Sequence, residues 1–167
     1  MQPVNLRSFK QKVWRNKKQF NKFLRKLLKT QPRGLDKKAE EISTEVWKEI
    51  DCLSCANCCK TMTPTFTKAD INRISAHLKI TKEEFIDTWL VYEKKDKDWV
   101  NKKQPCQFLD LNSNMCSIYE VRPADCAGFP HLTRKRMIDY IHVHQQNIEY
   151  CPATFKMVER MIEKIPQ

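Results

Sequence analysis

Four cysteines fall within eight residues of this chain, as Cys52-Leu-Ser-Cys55-Ala-Asn-Cys58-Cys59. Two residues between thiols let a tight turn present both sulfurs to one ion, and thiolates favour zinc and iron–sulfur clusters over hard cations. Four more cysteines follow, in Pro105-Cys106, Cys116, Cys126 and Cys151-Pro152. Eight thiolates are enough for two four-coordinate sites, or for one cluster with thiols to spare. The plain alternative is that they are small buried hydrophobes or disulfide partners. The first twenty residues lack the apolar run of a secretion signal, and nowhere does the chain approach 18 consecutive apolar residues. The expectation is therefore a cytoplasmic protein, and in a reducing compartment closely spaced cysteines are better explained as metal ligands or redox groups than as disulfides.

Other chemistries find no foothold. There is no P-loop, GxGxxG, GxSxG or HExxH pattern. Only Gly34 and Gly128 occur in the whole chain, which leaves nothing to build a glycine-lined phosphate cradle. No carboxylate pair stands out as an acid/base couple, and no reaction is assigned. His142-Val-His144 would put both rings on one side if this segment were a strand. With the thiolates sufficient as ligands, the bland reading of His131, His142 and His144 is surface or core histidine. Arg122-Pro123, with Asp125 close by, is expected to fix a turn through the locked φ of proline and an Arg–carboxylate pair.

In order and spacing, several stretches resemble the YkgJ-type cysteine-cluster family, the zinc- or iron-chelating domains. They are the CxxCxxCC run, Phe66-Thr-Lys-Ala-Asp70-Ile71, Pro105-Cys106-Gln-Phe-Leu-Asp110, Cys116-Ser-Ile-Tyr119-Glu-Val-Arg122-Pro123-Ala-Asp-Cys126, Phe129-Pro130 and Cys151-Pro152. The likeness covers about residues 48–155. It departs from the pattern at Ala56-Asn57, where a glycine is expected in many relatives. The resemblance implies a metal centre and leaves zinc and iron open. Cys52, Cys55 and Cys58 with a remote Cys151-Pro152 also have the arrangement by which bacterial ferredoxins hold a [4Fe–4S] cluster. On that reading Cys59, Cys106, Cys116 and Cys126 are left for another ion or for structure. The adjacent Cys58 and Cys59 could equally serve separate zinc ions.

The elements that must position these thiols are mostly helical. Leu6, Phe9, Val13, Phe20, Phe23, Leu24, Leu27 and Leu28 recur at three- and four-residue intervals, predicting an amphipathic helix that Pro32 and Gly34 end. Leu35, Ala39, Ile42, Val46 and Ile50 predict a second helix running into Cys52. Thr67 with Asp70 and Thr81 with Glu84 mark two helix starts. Ile71, Ile74 and Leu78 form the apolar face of the first, and Phe85, Ile86, Trp89 and Leu90 that of the second. Residues 97–133 read as loops, with a small hairpin around Leu111-Asn112-Ser113-Asn114. Residues 137–144 fit strand and helix equally. A last helix starts after Cys151 with Pro152 in its first turn, and Phe155, Val158, Met161, Ile162 and Ile165 share its face.

The predicted fold is thus mainly α, or α+β: a small metal-stabilised helical domain at 35–167 with irregular cysteine-bearing loops, preceded by a basic helix at 1–34. The net charge of +11 over 167 residues is unevenly placed. Residues 1–38 hold thirteen Lys and Arg against one acid, Asp36, so the basicity belongs to this arm. Residues 7–29 could bind nucleic acid or an acidic surface. The alternative is a helix that packs its Phe and Leu stripe on the domain and shows its charges to water.

Overall fold

The computed structural model describes residues 4–133 and 136–165. In chain order the helices are α1 (Leu6–Thr30), α2 (Leu35–Glu49), α3 (Cys52–Cys55), α4 (Asn57–Thr61), α5 (Lys68–Leu78), α6 (Lys82–Trp89), α7 (Ala124–Gly128), α8 (Ile141–Asn147) and α9 (Pro152–Lys164). The strands are β1 (Thr65–Phe66), β2 (Leu90–Glu93) and β3 (Asp98–Asn101), and 3-10 turns occupy Tyr119–Val121 and Met137–Tyr140. The chain is mainly helical with a small antiparallel sheet, as the sequence predicts. No described helix is long and apolar enough to cross a membrane. The described residues fall into two compact units, one formed by the chain up to Cys55 together with the chain from Pro130, the other by Ala56–Phe129.

The first unit is built by helix faces. The Asn5 side chain accepts from the Ser8 amide at 2.9 Å and so satisfies one of the open donors at the start of α1. The predicted stripe of Phe9, Val13, Phe20, Phe23, Leu24 and Leu27 is buried. Phe9 and Phe20 meet Phe155 of α9 with ring centroids 5.8 and 4.7 Å apart. Leu28, expected on the same stripe, is exposed. Gly34 begins α2 at φ +73, a left-handed conformation that only glycine adopts without strain. Along α2, Leu35, Ala39, Ile42 and Val46 are buried as their spacing requires. An ion-pair lattice of Glu45 and Glu49 with Lys156, Arg160 and Lys164 flanks the α2–α9 packing. Exposed pairs of this kind are screened by solvent and add little, so burial of the apolar faces sets the geometry. Residues 137–144, which fitted either period, are helical.

The second unit packs α5 and α6 against a sheet of order β1-β3-β2. Both predicted starts are realised. Thr67 and Asp70 form a full capping box, and Thr81 accepts from the Glu84 amide. Phe66, Ile71, Ile74, Phe85, Leu90, Phe108 and Ile118 form the core, with Cys106 and Cys116 packed against its edge. The sheet corrects two readings. Leu90, read as the last apolar position of a helix, begins β2, because α6 stops at Trp89. Residues 98–101, read as loop, are β3, whose Val100 and Trp99 pair with Val91 and Tyr92.

Candidate metal centre

The CxxCxxCC run is folded as two short helical pieces, α3 and α4, joined by Ala56 at φ 46. That left-handed conformation explains why a glycine suits this position and what the alanine costs, roughly 1–2 kcal/mol. Among the described residues, which include all eight cysteines, no disulfide is formed. Cys58 and Cys59 lie in α4, their sulfurs 3.9 Å apart.

The second unit carries three more thiols, Cys106, Cys116 and Cys126. The Cys106 amide donates to the Cys59 carbonyl at 2.8 Å, which fixes these two cysteines side by side. The Cys106 sulfur accepts from Asn101 Nδ2 at 3.4 Å, and Asn101 Oδ1 accepts from Gln107 Nε2 at 3.2 Å. Cys116 returns on the predicted hairpin. Leu109 pairs with Cys116 across an antiparallel bridge, and the Asp110 amide donates to the Met115 carbonyl at 2.9 Å. Inside that loop the Asp110 carboxylate accepts from Ser113 Oγ and the Asn112 amide, and these two bonds hold its pKa below the usual value.

Cys126 sits on α7, which two carboxylates anchor. Buried Asp70 accepts from the Ala124 amide at 3.0 Å and Asp125 accepts from the Thr65 amide at 3.1 Å. Burial works against the Asp70 charge, but donors from Thr67, Arg73 and the Ala124 amide outweigh it and keep its pKa low. At the turn before α7 the Arg122 bond that the structure shows runs to a backbone carbonyl, where the sequence reading expects a carboxylate partner. Arg122 Nη1 donates to the Tyr119 carbonyl at 2.6 Å, and its guanidinium lies 3.8 Å from the Tyr119 ring centre.

The charge of Cys59 is felt by the other three thiols. The neighbouring Cys58 thiol draws Cys59 down to about 7 against the opposing effect of burial, helped by its own amide and by Lys60. Burial pushes Cys106, Cys116 and Cys126 up. A Cys59 anion raises all three further, Cys106 acts on Cys116 and Cys126, and Cys116 acts on Cys126. The donor chemistry is sulfur alone, which fits zinc or an iron–sulfur cluster and disfavours magnesium or calcium. Among the described residues, no three His, Cys, Asp or Glu side chains already converge as a metal group.

In the first unit, Cys52 is exposed while Cys55 and Cys151 are buried. Cys151 caps α9, with Pro152 in its first turn as predicted. Burial pushes its thiol up, the Thr154 and Ala153 amides oppose that, and the charge of Cys55 adds to the rise. The histidines do not share a face, because α8 is a helix and residues two apart point to different sides. His142 is exposed. His144 is 1% exposed, and neither ring nitrogen has a hydrogen-bond partner among the described residues.

Asp70, Asn101 and Gln107 escaped the sequence reading as supports of the thiols. Asp70 was visible as a helix cap, but its bond to residue 124 spans 54 positions that no local pattern connects.

The family described as "Putative zinc- or iron-chelating domain" matches residues 51–152. An uncharacterized protein of Methanocaldococcus jannaschii is 34% identical over 91 residues, covering 51% of this chain and 46% of that relative. The chain thus matches less than half the length of this curated relative. No solved structure matches it.

Proposed function

The chain belongs to the zinc- or iron-chelating CxxCxxCC family, and from that premise we propose that its second unit is a metal centre held by Cys59, Cys106, Cys116 and Cys126. The observation that carries this reading is that Cys59 of α4, bonded through its carbonyl to the Cys106 amide at 2.8 Å, lies close enough for its charge to act on Cys106, Cys116 and Cys126. Burial and a Cys59 anion both disfavour the thiolate forms of Cys106, Cys116 and Cys126, and a bound cation removes that penalty. The Asn101 amide at the Cys106 sulfur supplies the kind of outer hydrogen bond that orients a thiolate ligand. When bound, zinc supplies a cross-link between three chain segments, and an iron–sulfur cluster supplies electron transfer as well.

The CxxCxxC spacing with the remote Cys151-Pro152 groups Cys52, Cys55, Cys58 and Cys151 for a second, [4Fe–4S] site. The influence of Cys55 on Cys151 supports part of the grouping, and the spacing of the run supports the rest. All eight cysteines are then ligands. Metal analysis with a visible absorption spectrum of anaerobically purified protein tests the assignment. Iron with acid-labile sulfide and an absorption that bleaches on reduction identifies a cluster, whereas colourless protein with stoichiometric zinc identifies a structural module. Protein carrying neither metal overturns the proposal.

A further inference from the structure

Packing α1 on its unit leaves one face of that helix outward, and the composition of that face is unlike the rest of the chain. Across its 25 residues α1 carries ten Lys and Arg and no acid. Arg7, Lys10, Trp14, Lys18, Asn21 and Arg25 follow one another at intervals of three and four, which sets them along a single line on the helix. Trp14, at 85% the most exposed large hydrophobic residue described, stands between Lys10 and Lys18 in that line. Lys17 to one side is already paired with Glu149 at 2.7 Å, so the unspent charge lies on the line itself and on the flank beyond it.

We infer that this line is a binding surface for single-stranded nucleic acid, with Trp14 stacking on a base and Arg7, Lys10, Lys18 and Arg25 holding phosphates. The inference goes beyond the metal centre and does not depend on it. Two other polyanions fit less well. An amphipathic helix binds a membrane by inserting its apolar stripe, and here that stripe is buried against α8 and α9. A duplex hides its base faces, so it offers an indole nothing to stack on, whereas a single strand presents a face at every base. Along the axis Arg7 and Lys10 lie about 4.5 Å apart, Lys10 and Lys18 about 12 Å and Lys18 and Arg25 about 10 Å, so a flexible backbone can follow the line over about 27 Å of helix, with Trp14 in the first wide gap.

The test is fluorescence polarisation of a labelled oligouridylate with the intact protein between about 50 and 200 mM salt. Four phosphate contacts give a slope of log affinity against log salt of about −3 for a single strand. Trp14→Ala weakens binding about ten-fold and leaves that slope unchanged, the loss of one stacked base. Replacing Arg7, Lys10, Lys18 and Arg25 together by Gln flattens the slope, and circular dichroism confirms that both variants keep their helix content. Failure to retain the oligonucleotide at the lowest salt, a Trp14→Ala variant that binds as tightly as the parent, or binding to phosphatidylserine vesicles without binding to the oligonucleotide each overturns the inference.

Discussion

Acidification acts on His144 in a way that can be worked out in advance. The ring is 1% exposed, and burial first, then the nearby His131 and His142, hold its pKa down at about 4 against an ordinary 6.5. In the unfolded chain the imidazole takes up a proton below about pH 6.5, but in the folded chain only below about pH 4. Between those values the unfolded state binds more protons, so stability is complete above 6.5 and is lost as pH falls. The whole shift corresponds to about 3 kcal/mol, of which about 2 kcal/mol is lost between pH 7 and pH 5. The cysteine ligands also respond to acid, so the quantity to compare is the pH dependence of the parent with that of His144→Phe, both stripped of metal. Urea denaturation followed by circular dichroism at pH 7 and pH 5 gives both slopes. The parent should lose about 2 kcal/mol more than the variant over that interval. An equal loss in the two proteins would show that His144 is not held neutral by its surroundings.

Other expectations follow from single residues. Gly34 and Ala56 both sit at positive φ, so Gly34→Ala should destabilise and Ala56→Gly should stabilise, each by about 1 kcal/mol in thermal or urea unfolding. Room does not decide the first case, since nothing lies within 4 Å of a Cβ at Gly34. In metal-stripped protein, iodoacetamide should modify Cys59 ahead of Cys106, Cys116 and Cys126, with a rate that rises through about pH 7, read by peptide mass spectrometry. Removing the Asp70 carboxylate with Asp70→Ala leaves the Thr67 and Ala124 amides short of a partner and should cost about 3 kcal/mol. A loss under about 0.5 kcal/mol in urea would mean that α7 is anchored by other contacts.

How much of this could be read from the chain depends on the range of the interaction involved. The stripes of α1, α2 and α9, and the caps at Thr67 and Thr81, are local patterns, and they appear where the spacing puts them. Residues 111–114 were legible as a turn because Asp, Asn and Ser favour such loops, and here the Asp110 carboxylate closes it by accepting from the Asn112 amide and the Ser113 hydroxyl. The sheet was not, since its strands are two to four residues long and no periodicity emerges from so few positions. A signal was present in Val91-Tyr92 and Trp99-Val100, flanking a turn of Lys and Asp, but helix α6 runs straight into it. The chelating residues were legible by type, and cysteine in a CxxCxxCC run is hard to explain otherwise. Their partition among sites was not, because Cys59 meets Cys106 through a backbone bond across 47 residues, and Asn101 joins the site from a strand that the sequence did not declare.

The central claim is that Cys59, Cys106, Cys116 and Cys126 hold one metal centre among themselves. Its most direct test is the metal content per chain of Cys126→Ser beside Cys151→Ser, with circular dichroism to confirm that each folds. The account predicts that Cys126→Ser loses the metal of the second unit while Cys151→Ser keeps it. Full metal content in Cys126→Ser, or loss of that same metal in Cys151→Ser alone, would contradict it.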